Sequence, residues 1–286
     1  MANKAKKRTQ QPLFSTLRRV HSKYYLALIF VMFLTFIGIA TVYKYTSTKQ
    51  TIYVKFKVSQ GTWWANTQKP SIWFVKGIEQ AQESKDLAGQ AVATVLDVVY
   101  YPYILSAVTG QAATGQYDIY VTAKLKVTVL GKKGMYNFNR GTIGIGSPIY
   151  LEFPNVQFSG TVIALSESPF NERYVKKTVY LTKRAPLPWE YDQIEIGDSQ
   201  TNGKQTVFEI VDKSYNGEIA GTSALDQGWL INTNINLFTV KANILVKEVN
   251  GQYIFGEEEV IAPSRYLIGV STKKFTFTDY YITMVE

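Results

Sequence analysis

The chain has 286 residues, 31 Lys and Arg against 22 Asp and Glu, one His and no Cys, for a formal charge of +9. The excess is local: residues 1–50 carry nine basic side chains and no acidic one, so from Thr51 onward 22 bases face 22 acids. A neutral body argues against a nucleic-acid surface there. The missing Cys removes disulfides and thiolate chemistry, and the lone His21 precedes the body, which removes imidazole triads and nearly all zinc sites.

The chain opens with MANKAKKRTQQ, a polar basic arm expected to be disordered, its charges near anionic lipid headgroups. Tyr24–Tyr43 follows, YYLALIFVMFLTFIGIATVY, twenty residues without a charge. At about 1.5 Å rise per residue it matches the roughly 30 Å hydrocarbon core of a bilayer. Tyr24, Tyr25 and Tyr43 stand at its ends, where amphipathic rings favour the interface. The run is longer than a signal-peptide core and lacks a small-x-small cleavage site behind it, so it reads as a retained single span. Arg18, Arg19 and Lys23 lie just ahead of it and only Lys44 and Lys49 close behind. The positive-inside rule then sets residues 1–23 in the cytoplasm and 44–286 outside a bacterial cytoplasmic (inner) membrane.

Beyond the span the chain alternates with period two. Ile52, Val54, Phe56 and Val58 share one face of a strand; Ile119, Val121, Ala123, Leu125, Val127 and Val129 share one face of a longer strand. In a second long strand Phe238, Val240, Ala242, Ile244 and Val246 align, and Glu248 falls on the same face unless a bulge near Lys247 intervenes. The phrase DIYVTAKLKVTVLGKKGMYNF from Asp118 returns as LFTVKANILVKEVNGQYIF from Leu237. Around it TIYVKFK echoes TVYLTKR, and PSIWFVKGIEQ echoes PLPWEYDQIEI with Trp73 on Trp189. GQAVATVLDVVYYP echoes GKQTVFEIVDKSYN, which assigns both to strands. The segment from Ser147 echoes that from Ser264. The pieces keep their order, so the chain reads as mainly β: an N-terminal transmembrane helix, then two tandem related small β-barrel or sandwich domains, residues 44–170 and 171–286. A short helix is expected after Pro70 and after Pro186.

The span, the T-I-Y-V strand, the P-x-W turn and Ile194-Glu195 followed by Asp198, Asn202 and Gly203 resemble a bacterial family of membrane-anchored proteins whose domain has no assigned function. GSPIYL (Gly146–Leu151) leading into FSGTV (Phe158–Val162) resembles the β-barrel of periplasmic adaptor proteins. Neither resemblance implies catalytic residues.

Four stretches invite a site. GTIGIGS (Gly141–Ser147) has the wrong spacing for a phosphate loop and reads as a turn. Asp192, Glu195 and Asp198 could gather around a cation, or simply form a polar turn. Glu257 and Glu259 could act as paired carboxylates, or protect a strand edge. The aromatic set Trp63, Trp64, Trp73, Tyr101 and Tyr103 is the strongest candidate, for a partner or ligand contact or for ordinary core packing. SAVTGQAATGQ (Ser106–Gln116) reads as a mobile loop, or as a segment ordered on assembly. The expectation is a non-catalytic envelope protein, without cofactor or metal, whose two β domains meet other envelope proteins or further copies of itself. The alternative is a module that binds a cell-wall glycan through surface aromatics.

Overall fold

The computed structural model describes residues 13–46, 49–59, 69–81, 83–85, 89–104, 112–129, 135–139, 141–184, 186–216 and 237–286. Trp63, Trp64 and the LGKKG turn lie outside them. The chain divides into two compact units, one of residues 1–50 with 128–135, the other of 51–127 with 136–286.

In the first unit α1 (Leu13–Thr46) is a 34-residue helix that contains the whole predicted span. Leu28, Ile29, Phe30, Val31, Met32, Phe33, Leu34, Phe36, Ile37 and Ile39 are between 43% and 72% exposed. Among the described residues no helix is long and apolar enough to cross a membrane. Leu26, Val42, Tyr43 and the side chains of Arg18, Arg19 and Lys23 fall outside the described side chains.

The second unit is built on two antiparallel sheets. The first contains β1 (Lys49–Ser59), β2 (Glu83–Lys85), β3 (Ala91–Ile104), β4 (Ala112–Val129), β5 (Tyr136–Phe138), β6 (Gly141–Ile143), β7 (Pro148–Glu152) and β8 (Gln157–Ser166). Its order is β2-β3-β4-β1-β8-β7, with β5 joining β4 to β6. The second contains β9 (Tyr174–Arg184), β10 (Ser199–Thr201), β11 (Thr206–Asn216), β12 (Leu237–Val249), β13 (Gln252–Phe255), β14 (Glu259–Ile261) and β15 (Tyr281–Val285). Here β10-β11-β12 continues through β9 to β15, with β13 joining β12 to β14. The helices α2 (Ile72–Glu79) and α3 (Pro188–Gln193) follow β1 and β9. Apart from β7, whose counterpart in the second sheet is reduced to an isolated bridge between Tyr266 and Tyr281, the two sheets repeat one strand order.

The repetition extends to irregularities. Three bulges that each leave one residue without an opposite number recur: Val92 and Val207, Leu96 and Val211, Ile163 and Thr283. A bulge bends a strand and increases its twist, so matching bulges give the two sheets matching local curvature. In the first half Gly146 donates to the Val162 carbonyl at 2.8 Å and Val162 donates to Ser147 at 3.0 Å. In the second, Ser264 donates to Ile282 and Ile282 to Arg265, both at 2.7 Å. The equivalent of Ser147 is therefore Arg265, one residue later than the sequence echo suggests.

Alternation generates the core. Ile119, Val121, Ala123, Leu125 and Val127 of β4 are essentially inaccessible, as are Phe238, Val240, Ala242, Ile244 and Val246 of β12. The core of the second half includes Val99, Tyr101 and Tyr120 from the first, so the two sheets share one interior. Two expectations change. Residues 112–116 belong to β4 rather than to a loop, because Ala112 pairs with Ile104. No register shift separates β12 from β9 or β13 at Lys247. There Glu248 is exposed and Lys247 is the buried residue.

Gly160 of β8 lies against β1. A Cβ there would stand 2.6 Å from the Lys57 carbonyl oxygen and 2.7 Å from the Phe56 ring. The carbonyl belongs to the paired strand and has no rotamer by which to withdraw. Gly160→Ala is expected to lower stability by about 1–3 kcal/mol through overpacking. Urea unfolding of the full chain in micelles, followed by Trp fluorescence, checks this.

Candidate functional site

Four charged residues meet in the seam between the sheets. Lys55 comes from β1, Lys247 from β12, Glu257 from the turn between β13 and β14, and Glu172 from the connection between β8 and β9. Lys55 pairs with Glu172 and, at 3.0 Å, with Glu257; Lys247 pairs with Glu257 and, at 2.7 Å, with Glu172. The side chains of Lys55, Lys247 and Glu257 are 7%, 8% and 5% exposed. Glu257 takes φ 76°, a left-handed conformation uncommon for a residue with a Cβ. Such strain is held only where surroundings over-determine it, as two buried ammonium groups do here.

Burial works against the ammonium form of Lys55, but Glu257 and Glu172 outweigh it and its pKa is raised. At Lys247 burial prevails over the same two carboxylates and the pKa is lowered. Burial alone would raise the Glu172 carboxyl; its bonds to Lys247 and Lys55 hold it below the usual range. Beside the four, burial and the neighbouring carboxylates push the Tyr174 hydroxyl far up. The ring of Tyr174 lies 5.3 Å from Lys247 Nζ.

The seam continues past this cluster. Lys57 pairs with Glu258 at 2.9 Å and Asp118 at 3.5 Å, and Lys69 pairs with Asp118 at 3.1 Å. Tyr100 donates its amide to the Asn202 carbonyl at 3.2 Å. Gly203, at φ 91°, lies so close that a Cβ would fall 2.3 Å from the Tyr100 ring. A groove of about 290 Å³ opens along the seam, lined by Tyr101, Pro102, Asp118, Tyr120, Phe255 and Glu258 among others. Burial raises the Tyr101 hydroxyl to about 12 and the Tyr120 hydroxyl further still. Both phenols stay protonated at neutral pH, so they are hydrogen-bond donors and not bases.

The aromatic candidates scatter. Trp73 on α2 is 81% exposed. Tyr101 is 7% exposed, its ring packed against Phe255 at 5.8 Å and Tyr120 at 6.1 Å. Tyr103 is half-buried under Lys69, 4.7 Å from the ring centre. Tyr24 and Tyr25 are exposed on α1. Glu257 and Glu259 part company, because Glu259 accepts backbone bonds from Ile268 at 2.6 Å and Gly269 at 2.9 Å. Burial raises the Glu259 pKa against those two bonds. Glu195 pairs with Lys274, Asp198 accepts from the Ser199 amide at 3.0 Å, and Asp192 is exposed. Among the described residues no three acidic or imidazole groups stand close enough to share a metal ion. Gly144 and Ser147 close a turn on each other, with Gly146 at φ 85°. Sequence reasoning missed the four-residue ionic cluster because its members are far apart along the chain and its lysines sit at polar positions of alternating strands.

Comparison with protein-family models, curated proteins and solved structures found no match in any of the three. The two resemblances drawn from sequence therefore rest on their residues alone.

Two outcomes test the cluster. Glu257→Gln leaves two buried ammonium groups with one carboxylate, and the expected loss is about 3–5 kcal/mol in urea unfolding. Glu172 titrates below its ordinary value of 4.5 in the fold, so its contribution is present above 4.5 and is lost as pH falls through the folded value. Glu172→Gln is expected to be less stable than the natural chain at neutral pH, the gap closing below pH 4.5 in thermal melts.

Proposed function

We propose that the chain is a non-catalytic, single-pass protein of the bacterial inner membrane that holds a rigid two-sheet β body outside it for contact with other envelope proteins or further copies. The exposed apolar surface of α1 carries this reading. Ten large apolar side chains stand open on one helix with no charge between Tyr24 and Tyr43. The hydroxyls of Thr35 and Thr41 turn back onto the carbonyls of Val31 and Ile37 at 2.6 and 2.5 Å, which satisfies them without water. Lipid is the solvent that such a surface fits. The basic arm ahead of it supports the orientation. The repeated topology with matching bulges supports an origin of the body by duplication, its halves then locked by the ionic cluster.

Because the chain has no Cys, single reporters can be introduced cleanly. Ser168→Cys, at an exposed site, is expected to react with a membrane-impermeant maleimide in intact spheroplasts, and Ala5→Cys only after lysis. The reverse pattern would overturn the topology. For the contact surface, a photo-cross-linking residue at Trp73 is expected to capture a discrete protein adduct in living cells, while Trp73→Ala leaves the melting temperature unchanged. A chain that stays monomeric and uncaptured there removes Trp73 from the docking surface.

A further inference from the structure

Because the halves repeat one topology, each residue can be compared with its counterpart. Phe56 lies opposite Val162, and Val58 opposite Gly160. Leu181 lies opposite Ile282, and Thr182 opposite Tyr281. Aligned on the shared bulge, Lys183 takes the place of Val58, and Tyr280 the place of Gly160. Matching the helix N-caps, Ser71 and Leu187, brings Glu190 to the place of Phe74. An apolar trio in the first half becomes a polar one in the second.

The polar trio is tightly built. Glu190 is 2% exposed; one of its oxygens accepts from Lys183 Nζ at 2.9 Å and the other from the Tyr280 hydroxyl at 2.9 Å. Lys183 Nζ also lies 5.4 Å from the centre of the Tyr280 ring. A buried ion pair seldom outperforms packed hydrophobic groups in stability, so stability does not explain the exchange. Beside the trio is a cavity of about 400 Å³ whose lining includes Lys183, Trp189, Glu190, Gln193, Phe275 and Asp279. Trp189 is 49% exposed, its ring 6.3 Å from that of Phe275. The volume lies within the usual range for small-ligand sites, about 300–1,000 Å³.

We propose that this cavity binds a carbohydrate, with the CH face of one pyranose ring on the Trp189 indole. A sugar ring has an apolar face and a rim of hydroxyls, each both donor and acceptor. The cavity offers that combination: an indole wall, donors on Lys183 and Gln193, and an acceptor carboxylate on Asp279. Glu190 is almost wholly buried and already bonded at each oxygen, so it orients Lys183 rather than meeting the sugar. Lys183 retains two donors beyond its bond to Glu190. The first half has Trp73 at the position of Trp189 but none of the polar trio, and so serves as an internal control. This inference does not depend on the membrane reading.

The test uses the full chain in micelles of a detergent without a sugar headgroup. Saturation-transfer NMR reads binding of cellobiose and of diacetylchitobiose, and co-sedimentation reads binding to insoluble peptidoglycan. Binding of either disaccharide supports a site for a short sugar; binding of peptidoglycan alone supports a polymer-specific one. Trp189→Ala is expected to weaken binding about tenfold, the scale of a lost stacking contact, with Trp73→Ala unchanged. Gln193→Ala, at an exposed position, is expected to weaken it also and carries the test if Trp189→Ala misfolds. The proposal fails if none of the three probes binds, or if Trp73→Ala weakens binding as much as Trp189→Ala.

Discussion

Lys55 and Lys247 come from long strands in different sheets, yet each meets both Glu172 and Glu257. Moving an ion out of water costs several kcal/mol, and attraction offsets that cost only when partners are close and well aimed. Here each charge has two neighbours of opposite sign and the cluster is formally neutral. Its contribution is chiefly to specificity: sliding one sheet along the other would strand a buried charge. The apolar interior alone tolerates small shifts far more easily. The cluster thus fixes the relation between halves that the shared hydrophobic core only makes favourable.

Once that relation is fixed, other features fall into place. The Asn202–Gly203 turn of the second half reaches the Tyr100 amide and lies against its ring, and the absence of a side chain at Gly203 permits the approach. Tyr101 turns toward Phe255 across the same seam. Part of the aromatic wealth of the first half is therefore used between halves. Among the described residues the two tryptophans stay open, and both lie on the short helices, Trp73 on α2 and Trp189 on α3. A body locked at its seam presents both from rigid supports, as a contact surface requires.

Most of the long strands, both short helices and the repeated order were legible because burial on one face of a strand imposes period two, and comparison of the echoes resolved AVATVLDVVYY; the start of β4 and the shortest strands were not. The bulges were not legible, since a residue left unpaired looks locally like any other strand residue. Lys247 shows the limit clearly. Alternation marks it as solvent-facing and marks Glu248 as the anomaly, but the partners that draw Lys247 inward lie elsewhere in the chain. Burial of a charge is decided by its tertiary partners, which a pattern along one strand does not contain. The Lys183–Glu190–Tyr280 trio was hidden for the same reason, although its exchange for Val58, Phe74 and Gly160 is visible once the register is known.

That exchange also separates what the fold needs from what it does not. In the first half the Phe56 ring covers Gly160, where no side chain fits. In the second, Leu181 replaces Phe56 and the ring comes from the facing strand as Tyr280. The volume has crossed the strand pair, large for small, which a core accepts readily. A phenylalanine at 280 would have completed the swap without further consequence. The hydroxyl brings an obligation instead: once buried it needs a partner, Glu190 supplies it, and the buried carboxylate in turn needs Lys183. Each step costs desolvation that the first half avoids while keeping the same topology. A polar chain unnecessary to the fold, ending at a cavity with an open indole, is better explained by what enters the cavity than by the stability of the strands beneath it.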